Sequence, residues 1–175
     1  MARGSDLNSD CGRCAGLCCM AFAFEPSEDF AIHKPAGAAC PHLRGDFGCA
    51  IHAEREERGF PGCIAFDCLG AGQRVVQDVL PGVDWRAGEA PRRRVIETFR
   101  AMRELHRLLQ LLHTAGHLPL PRAEEAERQG LIEALDPEAG WTEAGLARFE
   151  SGPLPKRVSA FLQGLRALAP SRRTG

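Results

Sequence analysis

Eight cysteines in the first half of the chain are the residues whose type and spacing could do chemistry. They are Cys11, Cys14, Cys18, Cys19, Cys40, Cys49, Cys63 and Cys68. The first two form a C-x-x-C pair, a spacing that lets two thiolates on a tight turn reach one ion. Cys18 follows Cys14 by about one helical turn, so the two can share a helix face. This density of thiols predicts metal binding.

Cys18 and Cys19 are adjacent, and neighbouring side chains on a helix diverge by about 100°. We therefore expect one of the two to serve a second ion or to bridge. Eight sulfurs would satisfy two four-coordinate zinc sites or one polynuclear cluster. The alternative for a later cysteine is that it packs as a small buried apolar residue and binds nothing. Lone histidines near turns are usually surface residues, so His42 and His52 are not predicted as ligands.

The segments that must position these cysteines contain many turn signals and few aliphatic residues. Long regular elements are therefore not expected there, except near the first cysteines. Something other than an apolar core must offset the ordering entropy of such a segment, and metal ligation is the natural candidate. Residues 81–91 form a connector, whose Trp85 is expected to dock back onto the fold. The module is placed at 8–80 and a helical region at 91–170.

The most regular pattern in the chain begins near Arg92 and continues to about Thr114. Apolar residues recur there at spacings of three and four, which predicts an amphipathic helix. They are Val95, Phe99, Met102, Leu105, Leu109 and Leu112. Three histidines, His106, His113 and His117, lie on or just after this helix and are expected to be exposed or at its end.

Further stop and start signals divide the rest of the chain into short helices. Gly116 ends the long helix, and a second helix is predicted to begin near Arg122. Thr142 is a suitable N-cap for a third, and a last helix follows Pro153. The tail Ser-Arg-Arg-Thr-Gly is expected to fray. The predicted fold is mostly α: a small, irregular, metal-stabilised cysteine-cluster module followed by a helical hairpin or bundle.

Charge and composition limit the location and partners of the protein. The formal net charge is -1, so there is no global attraction to nucleic acid or anionic membrane. No apolar run after Met1 suits a signal peptide, and no later stretch reaches membrane-spanning length. The prediction is a cytoplasmic protein, where thiols stay reduced and a disulfide scaffold is disfavoured.

The cysteine segments also resemble a known family pattern over about residues 11–68. The matching stretches are Cys11-Gly12-Arg13-Cys14-Ala15-Gly16-Leu17-Cys18-Cys19, Cys40-Pro41-His42-Leu43, Cys49-Ala50-Ile51-His52 with Arg55, and Pro61-Gly62-Cys63-Ile64-Ala65-Phe66-Asp67-Cys68. They are similar to the YkgJ-like family of zinc- or iron-chelating cysteine-cluster proteins. The continuation from Leu69 to Val75 resembles a bacterial subgroup in which this module precedes pentapeptide repeats, and those repeats are missing here. The resemblance implies metal binding by the matching cysteines, with zinc or iron as the metal, and it implies no reaction.

Three functions remain open from the sequence. The first is a metal-binding module in which zinc or iron is mainly structural or sequestered. The second is an iron-sulfur or redox accessory protein, although C-x2-C-x3-C-C differs from ferredoxin spacings. The third is a zinc-dependent nucleic-acid or protein interaction module that uses arginines of the long helix, which are more simply its solvated face. No catalytic arrangement is found, so an enzyme is the less favoured interpretation, and a protein partner would use the helical region.

Overall fold

The computed structural model describes residues 6–165 and shows a mostly α-helical protein, as the sequence predicts. The predicted frayed tail and the first five residues lie outside this range. The described helices are α1 (Leu17–Ala21), α2 (Gly62–Ala65), α3 (Ala71–Arg74), α4 (Glu89–Ala115), α5 (Arg122–Leu135), α6 (Glu143–Ser151) and α7 (Leu154–Gly164). A π-helical turn, Val75–Val79, continues α3.

The first half of the chain is built from short elements. Single-turn 3-10 helices occur at Cys11–Arg13 and His52–Glu54, and a third, Trp85–Ala87, lies in the connector. Extended segments meet only in isolated antiparallel bridges within residues 6–165, Phe24 with Lys34 and Leu43 with Cys49. This absence of long regular elements confirms the prediction from the turn signals.

The 27-residue helix α4 forms the centre of the fold. The six apolar residues of its predicted stripe are all at most 1% exposed. Helices α5, α6 and α7, which follow α4 in the sequence, pack against it. Helices α1 and α3, which precede α4, also pack against it. The amphipathic pattern is therefore confirmed, and one stripe of α4 contacts both halves of the chain.

Local signals place the ends of the later helices close to their predicted positions. Gly116 is the C-cap of α4, and α5 begins at Arg122. The Thr142 hydroxyl accepts a hydrogen bond from the Gly145 backbone N–H at 3.1 Å, as an N-cap residue should. Pro155 occupies the first turn of α7, where its missing N–H costs nothing.

Two clusters of buried side chains include or contact several of the cysteines. The large cluster contains Leu17 and Met20 of α1 together with the apolar stripe of α4 and side chains from α5 to α7. The small cluster contains Phe24, Cys40, Ile51 and Phe60. Residues 8–80 thus contribute to the core of the helical region as well as to a small core of their own. Among the described residues, no helix combines the length and apolar character needed to cross a membrane.

A cysteine-lined cavity as the candidate metal centre

All eight predicted ligands line one cavity of about 880 Å³. They come from separate parts of the chain: the Cys11–Arg13 turn and Cys14, helix α1, the loops that contain Cys40 and Cys49, helix α2, and the turn before α3. The structure therefore brings together the complete set of cysteines that the sequence singled out. No cysteine within residues 6–165 forms a disulfide.

The first four thiols are placed by a pair of tight turns. Asp10 caps the first turn by accepting a hydrogen bond from the Gly12 backbone N–H at 3.0 Å. Ala15 and Gly16 then have positive φ values of 51° and 64°, which reverse the chain before α1. The Cys14 thiol donates towards the Cys11 carbonyl at 3.5 Å. These turns direct the first two cysteines and α1 towards the same space.

The adjacent cysteines of α1 both reach the cavity. Their sulfurs, on Cys18 and Cys19, lie 4.0 Å apart, closer than the divergence of neighbouring helical side chains alone suggests. A tetrahedral ion with metal–sulfur bonds of about 2.3 Å separates its ligand sulfurs by about 3.8 Å. The observed spacing therefore fits a pair of sulfurs that contact a common ion.

The middle cysteines surround the small buried cluster. Cys40 belongs to this cluster and is 8% exposed, and Cys19, Cys49 and Cys63 pack against it. The Cys40 backbone N–H donates to the Cys19 carbonyl at 3.0 Å, which joins this loop to α1. Phe47, two residues before Cys49, has a positive φ of 65°.

The last cysteine is held beside the first segment. Ser9 donates to the Asp67 carboxylate at 2.5 Å, and its hydroxyl lies 3.1 Å from the Cys68 sulfur. Leu69, directly after it, has a positive φ of 54°. A Cβ atom built on Gly72 would lie 2.9 Å from the Cys14 Cβ and 3.8 Å from the Cys68 sulfur, so only glycine allows α3 to approach both cysteines.

Side chains that the sequence analysis did not select fix the first segment in place. Gln73 accepts from the Asp10 backbone N–H and donates to the Asn8 carbonyl, both at 2.8 Å. One turn later, Gln77 donates to the Arg13 carbonyl at 3.1 Å. These two side-chain amides form hydrogen bonds with the main chain of the first segment that a neighbouring strand would otherwise form. Their spacing of four on a helix was the only signal in the sequence.

Lys34 is the buried cation of the module and was also missed. It is 3% exposed, and its ammonium group contacts the carbonyl oxygens of Met20, Phe22, Pro35 and Ala38. Burial lowers the pKa of this amine, whereas the thiols of Cys40, Cys19 and Cys18 favour its charged form. The ammonium group is therefore held by main-chain oxygens of the same module that carries the cysteines.

Burial and mutual proximity raise the pKa values of several thiols. Burial raises the pKa of Cys14 to about 11, and Cys18 adds to the effect. Cys63 also rises to a pKa of about 11, through burial and then through Cys18, Cys40 and Cys49. The pKa of Cys18 is raised first by its hydrogen bond with Cys19 and then by burial. A cation that binds these thiols near neutral pH must displace their protons.

The chemistry of the donor set fits a soft metal ion, although the sulfurs are not yet arranged around one. Thiolates select zinc, copper(I) and iron-sulfur centres over hard ions such as Mg²⁺. Among the described residues, no group of three or more histidine, cysteine or acidic side chains forms a ready-made metal site. Binding would therefore need other cysteine side chains to move towards the 4.0 Å pair at Cys18 and Cys19.

The five histidines considered in the sequence analysis divide into three groups. His42 and His52 line the cavity beside the cysteines, although neither is a predicted ligand. His113 and His117 are exposed, as expected. The expectation for His106 was wrong: it is 0% exposed, and its Nδ1 lies 2.5 Å from the Leu69 carbonyl oxygen. It follows Met102 by four residues, so it belongs to the buried stripe of α4.

Arginines of α4 serve two purposes. Arg94 pairs with Glu143 at 2.7 Å and Arg100 pairs with Glu150 at 3.0 Å, which joins α4 to α6 through charge. Arg103 instead lines the cavity, with its guanidinium carbon 4.7 Å from the centre of the Phe22 ring. The positive charge of the α4 face that was considered for phosphate contact is therefore partly neutralised by these glutamates.

Fold and cavity together define a mostly α-helical protein with a cysteine-lined cavity at one side of its long helix. The chain is similar to "Uncharacterized protein YybG" of Bacillus subtilis (strain 168), with 37% identity over 131 residues. The match covers 75% of this chain and 47% of that protein, so the chain spans about half the length of the curated relative it matches. No family model and no solved structure matches the chain.

Proposed function

We propose that residues 8–80 form a module that binds zinc or iron through cysteine thiolates, with the metal mainly structural or sequestered. The observation that carries this proposal is the convergence of all eight cysteines, from distant parts of the sequence, on one cavity. The resemblance to the YkgJ-like family supports the same assignment. The residues that would hold the metal are Cys11, Cys14, Cys18, Cys19, Cys40, Cys49, Cys63 and Cys68.

A structural role for the metal follows from how little else holds the middle of the module. The small cluster has four buried residues, and the surrounding chain forms single helical turns and isolated bridges. A few buried side chains offset little of the ordering entropy of so many loop residues. Thiolate ligation contributes its binding free energy directly to folding. We therefore expect residues 8–80 to be largely unfolded without metal.

Elemental analysis of the anaerobically purified protein, together with its absorption spectrum, tests the proposal. A zinc protein would be colourless, whereas an iron-sulfur protein would be brown and would favour the redox alternative. Removal of the metal with a chelator should lower the helical circular dichroism only modestly, because α4 to α7 contain most of the helical residues. Protein that purifies without metal and takes up neither zinc nor iron would contradict the proposal.

A matched pair of variants separates ligation from the cost of a buried hydroxyl. Cys14→Ser replaces a thiol that is 6% exposed, and Ala115→Ser places the same hydroxyl at a position in α4 that is 7% exposed. Cys14→Ser should lower the metal content, and Ala115→Ser should leave it at the wild-type value. Unchanged metal content in both variants would remove Cys14 from the ligand set.

A further inference from the structure

The cavity beside the cysteines is larger and more apolar than metal binding requires. Its volume of about 880 Å³ lies within the range of about 300–1,000 Å³ that is usual for small-molecule pockets. A closed thiolate site surrounds its ion with sulfur atoms, so ions held by the cysteines would fill only a small part of this space. Seven of the nine phenylalanines of the chain line the cavity. It therefore has room for an organic molecule with an apolar body.

The guanidinium group of Arg103 lies among three of these phenyl rings. Its carbon atom is 4.7 Å from the centre of the Phe22 ring, 5.0 Å from that of Phe66 and 6.0 Å from that of Phe99. The Phe22 and Phe66 rings also contact each other edge to face, with their centres 5.1 Å apart. Aromatic rings attract a guanidinium group through their faces and leave its N–H groups free to donate. This wall of the cavity therefore combines an apolar surface with a positive charge.

Arg103 has no acidic partner, unlike other arginines of α4. Three of them form ion pairs with glutamates: Arg94, Arg100 and Arg107. Within residues 6–165, the side chain of Arg103 has no hydrogen-bond acceptor and no ion-pair partner, and the two acidic residues of the cavity lining, Asp10 and Asp29, do not pair with it. The N–H donors of a guanidinium group form a fork that matches the oxygens of an anionic group. An anion in the cavity would therefore meet a cation that no carboxylate of the described chain neutralises.

We propose that this cavity binds a small organic acid with an aromatic body. The anionic group of the ligand accepts hydrogen bonds from Arg103, and its rings pack against Phe22 and Phe66. Ile64 lines the same cavity and is 50% exposed, so the body of the ligand would also find apolar surface there. The proposal goes beyond metal binding and assigns no role to the thiols.

Fluorescence titration of the full chain, as purified, with two dyes tests the proposal. Anilinonaphthalene sulfonate and N-phenylnaphthylamine have the same rings, and only the first carries an anionic group. Both dyes become fluorescent in apolar surroundings, and we expect each to bind in a saturable manner. Absence of saturable binding of the sulfonate dye would overturn the proposal. Metal analysis of the same samples reports separately on the proposed metal site.

A matched pair of variants places the anionic group. Arg103→Gln removes the positive charge from the cavity, and Arg107→Gln makes the same change one turn later on α4, at a side chain that is 50% exposed. Because hydrogen bonds to charged groups are strong, Arg103→Gln should weaken binding of the sulfonate dye about tenfold or more and leave binding of the neutral dye nearly unchanged. Arg107→Gln should leave both affinities at the wild-type value. An equal loss for both dyes in Arg103→Gln, or an unchanged affinity for the sulfonate dye, would overturn the proposal.

Competition in the wild type tests the class of ligand without any substitution, so it does not depend on how well the Arg103 variant folds. Naphthoate combines an aromatic body with a carboxylate, whereas acetate lacks the rings and naphthamide lacks the charge. Naphthoate should displace the sulfonate dye at a concentration about tenfold or more below that needed for the other two. Equal displacement by acetate would remove the aromatic body from the proposal, and equal displacement by naphthamide would remove the anionic group, so either result would overturn it.

Discussion

The indole N–H of Trp85 donates a hydrogen bond to the main-chain oxygen of Ala15 at 3.0 Å. Trp85 lies in the connector and is 2% exposed, whereas Ala15 directly follows Cys14 and has a positive φ of 51°. The contact spans 70 residues and holds the turn between Cys14 and α1 against the start of the helical region. The connector thus takes part in positioning the cavity.

Replacement of Trp85 by Phe should weaken both stability and metal binding. The variant keeps an aromatic ring but loses the hydrogen bond and part of the packing, so the free energy of unfolding should fall by about 1–3 kcal/mol. The matched control is Trp141→Phe, which loses a similar bond to Leu135 at 2.8 Å within the helical region. Urea unfolding measures the first effect, and competition with a zinc indicator measures the second. Equal metal affinities in the two variants would contradict the role of Trp85.

Lys34→Met should destabilise the module strongly. The substitution removes the ammonium group and leaves the partly buried carbonyl oxygens of Phe22 and Ala38 without the donor that Lys34 gives them. Buried unsatisfied groups cost about 1–3 kcal/mol each. The other lysine of the chain, Lys156, is exposed, so Lys156→Met should change the free energy of unfolding by less than about 0.5 kcal/mol. If both substitutions changed the free energy of unfolding by a similarly small amount, Lys34 would not be needed for the stability of the module.

Gly72→Ala tests the close approach of α3 to the cysteines. Its new methyl group would lie 2.9 Å from the Cys14 Cβ atom, so either α3 or the first segment must move. We expect a lower affinity for zinc in an indicator competition assay. In Gly130→Ala, the new methyl group meets no atom within 4 Å and lies inside α5, so this variant should gain about 0.5–1 kcal/mol of stability. Wild-type affinity in Gly72→Ala would mean that the observed spacing leaves room for a methyl group.

The buried His106 should make the protein less stable in mild acid. Burial is the main cause that lowers its pKa from 6.5, and the hydrogen bond to Leu69 opposes it. The unfolded chain therefore takes up a proton near pH 6.5, before the folded chain does. His106 therefore makes its full contribution to stability above the pKa of the unfolded chain. This contribution declines as the pH falls towards the pKa of His106 in the folded protein.

The comparison of His106→Gln with His113→Gln measures this effect. The first substitution keeps a donor for the Leu69 carbonyl and removes the titration, whereas the second changes an exposed histidine of the same helix. Urea unfolding at about pH 7.5 and about pH 5.5 brackets the ordinary histidine pKa. The decrease on acidification should be smaller in His106→Gln than in the wild type and unchanged in His113→Gln. Equal decreases in all three proteins would refute the role of His106.

The helical region could be predicted because its signals are local. The spacing of Val95, Phe99 and Met102 on α4 specifies a buried stripe, and capping residues such as Thr142 mark where helices begin. The same periodicity includes His106, whose residue type favours exposure but whose position in the stripe is buried. A polar residue in a buried stripe needs a partner, and that partner, Leu69, is distant in sequence.

The set of cysteines could also be predicted, but not their arrangement. Density and spacing identify the eight thiols, whereas the order in which they meet depends on contacts between distant segments. Gln73 bonds to residues 63 and 65 positions earlier, and Lys34 binds backbone carbonyl groups that carry no sequence signal.

Three non-glycine residues with positive φ, Ala15, Phe47 and Leu69, each lie within two residues of a cysteine. Such backbone is costly for a residue with a side chain, and the surrounding packing must hold it in place. The main chain that carries these cysteines is therefore held by its packing, and opening it costs more than rotating a side chain. We therefore expect an excess of chelator to extract the metal slowly, at a rate that levels off as chelator concentration rises, because the main chain must first open.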